Sequence, residues 1–303
     1  MNTQSLVSVG IPTYNRPEGL RKSLKSITAQ TYKNLEIIVS DNCSPNPQVE
    51  QTVKEFMNND SRIIYYRQEQ NKGPLFNFRF VVKKAKGEYF MWAADDDEWY
   101  PDFIATLKEC LDIHSEHGVA MSSILRVYKN NSFFDEILLI DENNLTNFDY
   151  ITVFKKMMNG VRIHLFCYGL FRSELLKKLT ARPFSDCIAS DRVFMCEVAL
   201  ATHFYSVPQI LYKKTVSEIP IEERNKDNEV GRVYIYKTKH IRYVINILTS
   251  VLTSSLIPLK RKIRIIPMWL IFACSYCINY IRRDILFPIK KKIKKYLLNI
   301  MSF

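Results

Sequence analysis

The chain has 303 residues, 47% apolar and 13% aromatic, with 43 Lys and Arg against 31 Asp and Glu. That composition excludes a wholly disordered chain, and eight Gly with twelve Pro exclude a collagen-like or linker-dominated one. The net charge of +12 is uneven: residues 1–230 carry 28 basic and 30 acidic side chains, whereas 231–303 carry 15 basic ones and a single acid, Asp284. The expected division is a near-neutral domain over 1–230 and a basic, helical region over 231–303.

Residues 6–11 (LVSVGI) form a β-branched apolar run stopped by Pro12, the pattern of a buried strand. Residues 17–29 follow with Leu20, Leu24 and Ile27 at helical spacing. The alternation continues with a strand at 35–40, a turn at 41–47, a helix at 49–57, a strand at 62–67, a helix at 76–85 and a strand at 88–93. A helix to about residue 115 and a strand at 119–128 complete the regular part. Strands alternating with helices through short loops predict an α/β fold with a doubly wound, mostly parallel sheet. Ligands of such sheets bind beyond the carboxyl ends of the strands. There the segment Thr13–Arg16, Asp41 and the triple acid Asp95-Asp96-Asp97 would converge.

From 129 to 230 the periodicity weakens, and the charged, Pro-punctuated stretch 218–229 reads as a linker. The seven cysteines, an odd number without serial C-x-x-C pairs, suit neither a disulfide framework nor a zinc ribbon. A reducing, cytoplasmic setting is expected. The N-terminal residues lack the basic and apolar regions of a secretory signal.

The segment ADDDEWYP (94–101) carries the strongest chemistry. Adjacent carboxylates at a strand end repel one another, and hard oxygen ligands of this kind hold divalent cations. A solvated acidic turn would look the same in isolation. Five segments in order, GIPTYNR (10–16), LEIIVSDNCS (35–44), NKG (71–73), AKGEYFMWAADDDEWYP (85–101) and a later Asp, resemble the family-2 glycosyltransferases of GT-A fold. The resemblance covers residues 5–115 almost continuously.

It implies a nucleotide-sugar donor, an inverting transfer to an acceptor hydroxyl, and Mn²⁺ or Mg²⁺ bound at a D-x-D motif. Thr13, Tyr14 and Arg16 would form the nucleobase pocket, and Asp41 would accept a hydrogen bond from the base. Asn71, Lys72 and Gly73 would shape the loop over the donor. Asp95 would face the ribose or diphosphate, and Asp96, with Asp97 close by, would ligate the metal. The family often has an acid where this chain has Ala94, so the D-x-D falls on Asp95–Asp97. It also often has Ala-Arg-Asn where this chain has Asn77-Phe78-Arg79. For the base that deprotonates the acceptor, Asp191 at the start of an apolar helical pattern is the first candidate and Asp186 its rival. Asp191 could also serve only as a helix cap. His164 could reach the acceptor or be structural.

The tail has apolar runs at 244–259 and 268–281, separated by Lys260, Arg261, Lys262 and Arg264 and followed by the lysine-rich 290–295. The second run, 14 residues long, falls short of the roughly 20 needed to span a bilayer. The pattern suits interfacial helices on an anionic membrane surface. The expected acceptor is lipid-linked or a growing glycan of bacterial surface polysaccharide, reached from the inner face of the cytoplasmic membrane. No nucleic-acid module accompanies the basic charge. A nucleotidyltransferase and a non-catalytic membrane adaptor on the same fold remain as alternatives.

Overall fold

The computed structural model describes residues 5–128, 136–138, 145–159, 162–187, 189–216 and 239–280. The expected linker 218–229 and the basic run 290–295 lie outside the described residues. The first half alternates β1 (Val7–Thr13), α1 (Pro17–Thr28), β2 (Leu35–Asp41), α2 (Gln48–Met57), β3 (Ile63–Arg67), α3 (Pro74–Lys84) and β4 (Tyr89–Trp92). Then come a short β5 (Glu98–Trp99), α4 (Phe103–Ile113), β6 (His117–Tyr128) and β7 (Glu136–Leu138). The rest is α5 (Tyr150–Met158), a 3₁₀ segment (Arg162–Tyr168), β8 (Leu170–Arg172), α6 (Ser173–Leu179), α7 (Ser190–Ala201), β9 (His203–Val216), α8 (Lys239–Thr253) and α9 (Leu259–Tyr280).

The strands form one sheet in the order β3-β2-β1-β4-β8-β6-β9-β5, with β7 on β6. As the alternation predicts, β3, β2, β1 and β4 are parallel. Every residue of β1 and β2 is buried, so both faces of the sheet are covered and the strands read as continuous apolar runs rather than alternating ones. The register pairs Thr13 with Asp41 at the carboxyl ends. Gly10 admits α3 close to β1, since a Cβ there would lie 2.7 Å from both Phe90 and Val81.

Beyond β4 the sheet departs from the expectation of a mostly parallel arrangement. The three-residue β8 inserts antiparallel between β4 and β6, while β6 and β9 are parallel to each other and β5 is antiparallel to β9. Elements of two or three residues have too little periodicity to be seen in a sequence window.

The C-terminal helices belong partly to the core. Tyr243, Val244, Ile247 and Val251 of α8 are buried, and Glu197 of α7 accepts hydrogen bonds from Arg182 (2.6 Å) and Ser250 (2.7 Å). The length expected for the last apolar run is corrected. It belongs to a helix of 22 residues that contains an 18-residue stretch of mean hydropathy 1.3, long and apolar enough to cross a membrane. The helix begins among the basic residues because they have partners there. Arg261 donates to the Leu200 carbonyl at the end of α7 (2.7 Å), and Lys262 donates to the Leu252 and Ser254 carbonyls at the end of α8 (2.8 and 2.6 Å). Cations at helix C-termini satisfy the last carbonyls and oppose the dipole. Two of the basic side chains expected to face a membrane are thus spent inside the protein.

Replacing Arg182 by Ala leaves the Glu197 carboxylate buried with Ser250 as its remaining partner and is expected to cost about 2 kcal/mol, less than a fully buried pair because the guanidinium is half-exposed. Chemical denaturation measures the loss, and hydrogen exchange should quicken first in α8.

Candidate active site

A cleft of about 370 Å³ opens at the carboxyl ends of β1 and β4. Thr13, Tyr14, Arg16, Asp95 and Asp96 all line it, with Asn42, Asn77, Phe78, Ala94 and Tyr168 among their neighbours. A larger hollow of about 700 Å³ lies beside α1 and α2. Its Arg21 pairs with Glu55 and its Arg62 with Asp60, each at 2.6 Å, so its charges are already matched.

The acidic turn is held from below by α1. Gly19 lies so close that a Cβ would stand 2.4 Å from the Asp95 carbonyl oxygen. One turn later the Ser23 hydroxyl sits 2.8 Å from the Ala94 carbonyl and 2.7 Å from that of Asp97. Clamped in this way, the three acids divide. Asp95 accepts from Thr13 Oγ1 (2.8 Å), and Arg16 Nη1 lies 3.1 Å from both Asp95 Oδ1 and Asp96 Oδ2. Asp96 remains a quarter exposed. Asp97 is fully buried and points away from the cleft. It accepts from Tyr212 Oη, from Lys214 Nζ (2.9 Å) and from the Thr215 backbone N–H (2.9 Å).

Asp97, expected close to the metal ligand Asp96, has its acceptor oxygens taken within the core. Asp95 and Asp96, one buried and one open, are the hard oxygen pair that fits a divalent cation, with Arg16 now bridging them.

Burial pushes Asp95 up to about 6, with Arg16 opposing that rise and Asp96 adding to it. Burial also raises Asp97, against the pull of Lys214.

Asp41 is buried beneath the cleft and does not line it. Its Oδ1 accepts from Ser44 N (2.8 Å) and Oγ (2.5 Å), and its Oδ2 accepts from Tyr65 Oη (2.9 Å) with Arg67 Nε at 3.6 Å. Ser44 Oγ in turn accepts from the Asn15 N–H (2.8 Å), where the backbone has a positive φ of 58°. Asp41 therefore fixes the Tyr14–Asn15 wall of the pocket. Asn71 and Gly73 are also off the lining. Asn71 Oδ1 accepts from Asn42 Nδ2 (2.7 Å) and the Gly73 N–H (2.9 Å), while the Lys72 N–H donates to Asn42 Oδ1 (3.0 Å). This loop leads Pro74 to the cleft. Arg79 is turned away, donating to the Thr180 and Ala181 carbonyls.

A second, apolar cavity of about 210 Å³ shares Pro74, Phe78 and Tyr168 with the cleft and has Asp191 on its wall. Asp191 stands in the first turn of α7, half-exposed, with Oδ2 3.9 Å from His164 Nε2. The preceding Ala189 is held at φ 50°, a conformation that costs a non-glycine residue about 1 kcal/mol. Asp186 lines neither cavity. Sequence reasoning missed Tyr168, which joins the two cavities, and Lys214, 117 residues from its partner Asp97.

Residues 8–180, more than half of the chain, match the family profile described as Glycosyl transferase family 2. The chain belongs to that family. Over 158 residues it is 34% identical to abequosyltransferase RfbV of Salmonella typhimurium, covering 48% of this chain and 47% of that protein. Over 104 residues it is 38% identical to the GalNAc(5)-diNAcBac-PP-undecaprenol beta-1,3-glucosyltransferase of Campylobacter jejuni, covering 34% and 33%. The matched segment is less than half the length of these curated relatives. S. aureus TarS 1-349 in complex with UDP-GlcNAc superposes with a TM-score of 0.66 at 19% identity, over 92% of this chain and 76% of that one. The mannosyltransferase PcManGT of Pyrobaculum calidifontis, in complex with GDP-Man and Mn²⁺, gives 0.51 at 15% identity over 99% and 81%. The fold of this family-2 chain is GT-A.

Because Asp95 is raised from 3.8 to about 6, the folded state binds the proton more tightly than the unfolded one, and the group's contribution to stability falls as pH rises from about 4 to 6. Asp95→Asn removes that penalty. Its melting temperature is expected to match the wild type near pH 4 and exceed it above pH 6, by an amount equivalent to about 3 kcal/mol. Parallel curves at all pH values would contradict this.

Proposed function

We propose that this chain is an inverting glycosyltransferase that moves a sugar from a nucleotide-sugar to a hydroxyl of a lipid-linked or growing glycan in bacterial surface polysaccharide synthesis. What carries the reading is the pairing of Asp95 and Asp96 on a cleft that adjoins an apolar cavity bearing Asp191. Thr13 and Tyr14, which line the cleft, would hold the nucleobase, and Arg16, beside both acids, would turn to the diphosphate. Mn²⁺ or Mg²⁺, held chiefly by Asp96 with Asp95 behind it, would supply positive charge to offset that of the departing diphosphate.

Asp191 takes the proton of the acceptor hydroxyl as its oxygen attacks the anomeric carbon. The new C–O bond forms on the face opposite the breaking one, and the nucleoside diphosphate leaves. The apolar walls from Phe78, Trp92, Phe184 and Phe194 exclude water that would compete with the acceptor.

The test is a thermal-shift panel of nucleoside diphosphates with and without Mn²⁺. One base class should stabilise the wild type only when metal is present, and Asp96→Ala should lose that response. Asp191→Asn should keep it and yet lower transfer roughly a hundredfold or more. Equal responses to every nucleotide, or release of pyrophosphate instead of nucleoside diphosphate, would overturn the reading.

We also propose that 231–303 seats the enzyme on the inner face of the cytoplasmic membrane. Ile265 of α9 is buried and Trp269 donates to the Val244 carbonyl (2.8 Å). Leu259, Ile263, Ile266, Leu270 and Ile271 remain exposed along the other side of the helix. An exposed apolar stripe of this extent is unusual for a surface in water. The protein should sediment with phosphatidylglycerol vesicles, and Leu270→Glu with Ile271→Glu should release it. Unchanged sedimentation of the double variant would contradict the assignment.

A further inference from the structure

Across the sheet from the donor cleft, α4 ends and β6 begins within a few residues, in the sequence His114-Ser115-Glu116-His117. The His117 N–H donates to the His114 carbonyl (3.1 Å) and closes the turn. Because β6 runs parallel to β9 in register His117↔His203, a third histidine stands beside this turn at the start of the neighbouring strand. Three of the chain's five histidines are thus gathered at one end of the sheet by topology.

His114, Glu116 and His117 each present a ligand atom, and these atoms lie within 4.8 Å of one another. Glu116 Oε1 is 3.0 Å from His117 Nδ1 and 3.9 Å from His114 Nδ1. His117 is only 6% exposed. Its Nδ1 faces this cluster, with the Glu116 carboxylate as its near neighbour. The rings are also held in place. His114 stacks on Tyr205 with centroids 4.5 Å apart, and His117 meets the same ring edge-on at 5.4 Å.

We propose that His114, Glu116 and His117 form a second metal site, for a zinc-type divalent cation, the His203 ring lying 6.1 Å from that of His117. Bonds of about 2.0–2.1 Å in tetrahedral geometry put ligand atoms about 3.3 Å apart, and the observed 3.0 and 3.9 Å separations bracket that value. Two imidazoles and one carboxylate select a d-block cation over magnesium, so the site differs in chemistry from the all-carboxylate pair at the cleft. The bound ion would tie the end of α4 to the first residue of β6. That joint lies in the segment that follows the acidic turn, which gives the site a structural role remote from the reacting groups.

The experiment uses the full chain without a histidine tag, stripped of metal, in the Asp96→Ala background that removes the cleft site. Co²⁺ is titrated and followed by its visible d–d absorption, and Zn²⁺ by calorimetry. One equivalent of each should bind, Co²⁺ should give the intense bands of a four-coordinate ion, and Zn²⁺ should raise the melting temperature. His114→Ala truncates a half-buried side chain and Glu116→Gln alters an exposed one, so the fold should survive, and each should weaken binding roughly tenfold or more. Absence of binding in the Asp96→Ala protein, or affinity unchanged by His114→Ala, would overturn the proposal. Neither result depends on whether the cleft transfers sugar.

Discussion

Three consecutive carboxylates cannot all share one cleft without strong mutual repulsion, and the arrangement of this protein follows from how that conflict is resolved. The turn is clamped to α1 by the absence of a side chain at Gly19 and by the Ser23 hydroxyl between two carbonyls. Held in that way, it sends Asp95 and Asp96 outward and Asp97 inward. Inside, Lys214 and Tyr212 from β9 meet Asp97. The buried charge is matched, and β9 is tied to the strand end that carries the site. The outward pair is left under tension: Asp95 is desolvated, Asp96 is partly open, and among the described residues Arg16 is the cation paired with both. A site whose charge is this incompletely matched favours the arrival of a further cation.

The parallel half of the sheet was legible because its strands are covered on both faces and its helices carry clear apolar stripes. Leu20, Leu24 and Ile27 are all fully buried, as their spacing requires. The other half was not, for a different reason at each element. β5 and β8 are shorter than any period. The full length of α9 is hidden in the sequence because Lys260–Lys262 and Arg264 interrupt its apolar pattern. In the folded chain Arg261 and Lys262 instead cap the ends of two earlier helices, a use of charge that depends on tertiary neighbours.

The site shows the same division. Position along the chain was enough to bring Thr13, Tyr14, Arg16, Asp95 and Asp96 to one cleft, because a parallel sheet gathers its strand ends. Which way a side chain points within a tight turn is set by partners far away in sequence, so the inward turn of Asp97 toward Lys214 is not legible locally. Asp41 and Asn71 were found as polar groups at the right edge, but their hydrogen bonds go to the loops that shape the pocket. Tyr168 lies in a 3₁₀ segment without apolar periodicity, and nothing local distinguishes it from the aromatic residues around it.

The central claim is that the clamped acidic turn holds a divalent cation against a diphosphate. Its most direct test is anomalous diffraction from crystals soaked in Mn²⁺ and the nucleoside diphosphate that stabilises the protein. The account requires a manganese peak within bonding distance of the Asp96 carboxylate and of the diphosphate oxygens, with Asp97 still bound to Lys214. A nucleotide seated in the cleft with no manganese beside Asp96, or manganese bound by Asp97, would contradict it.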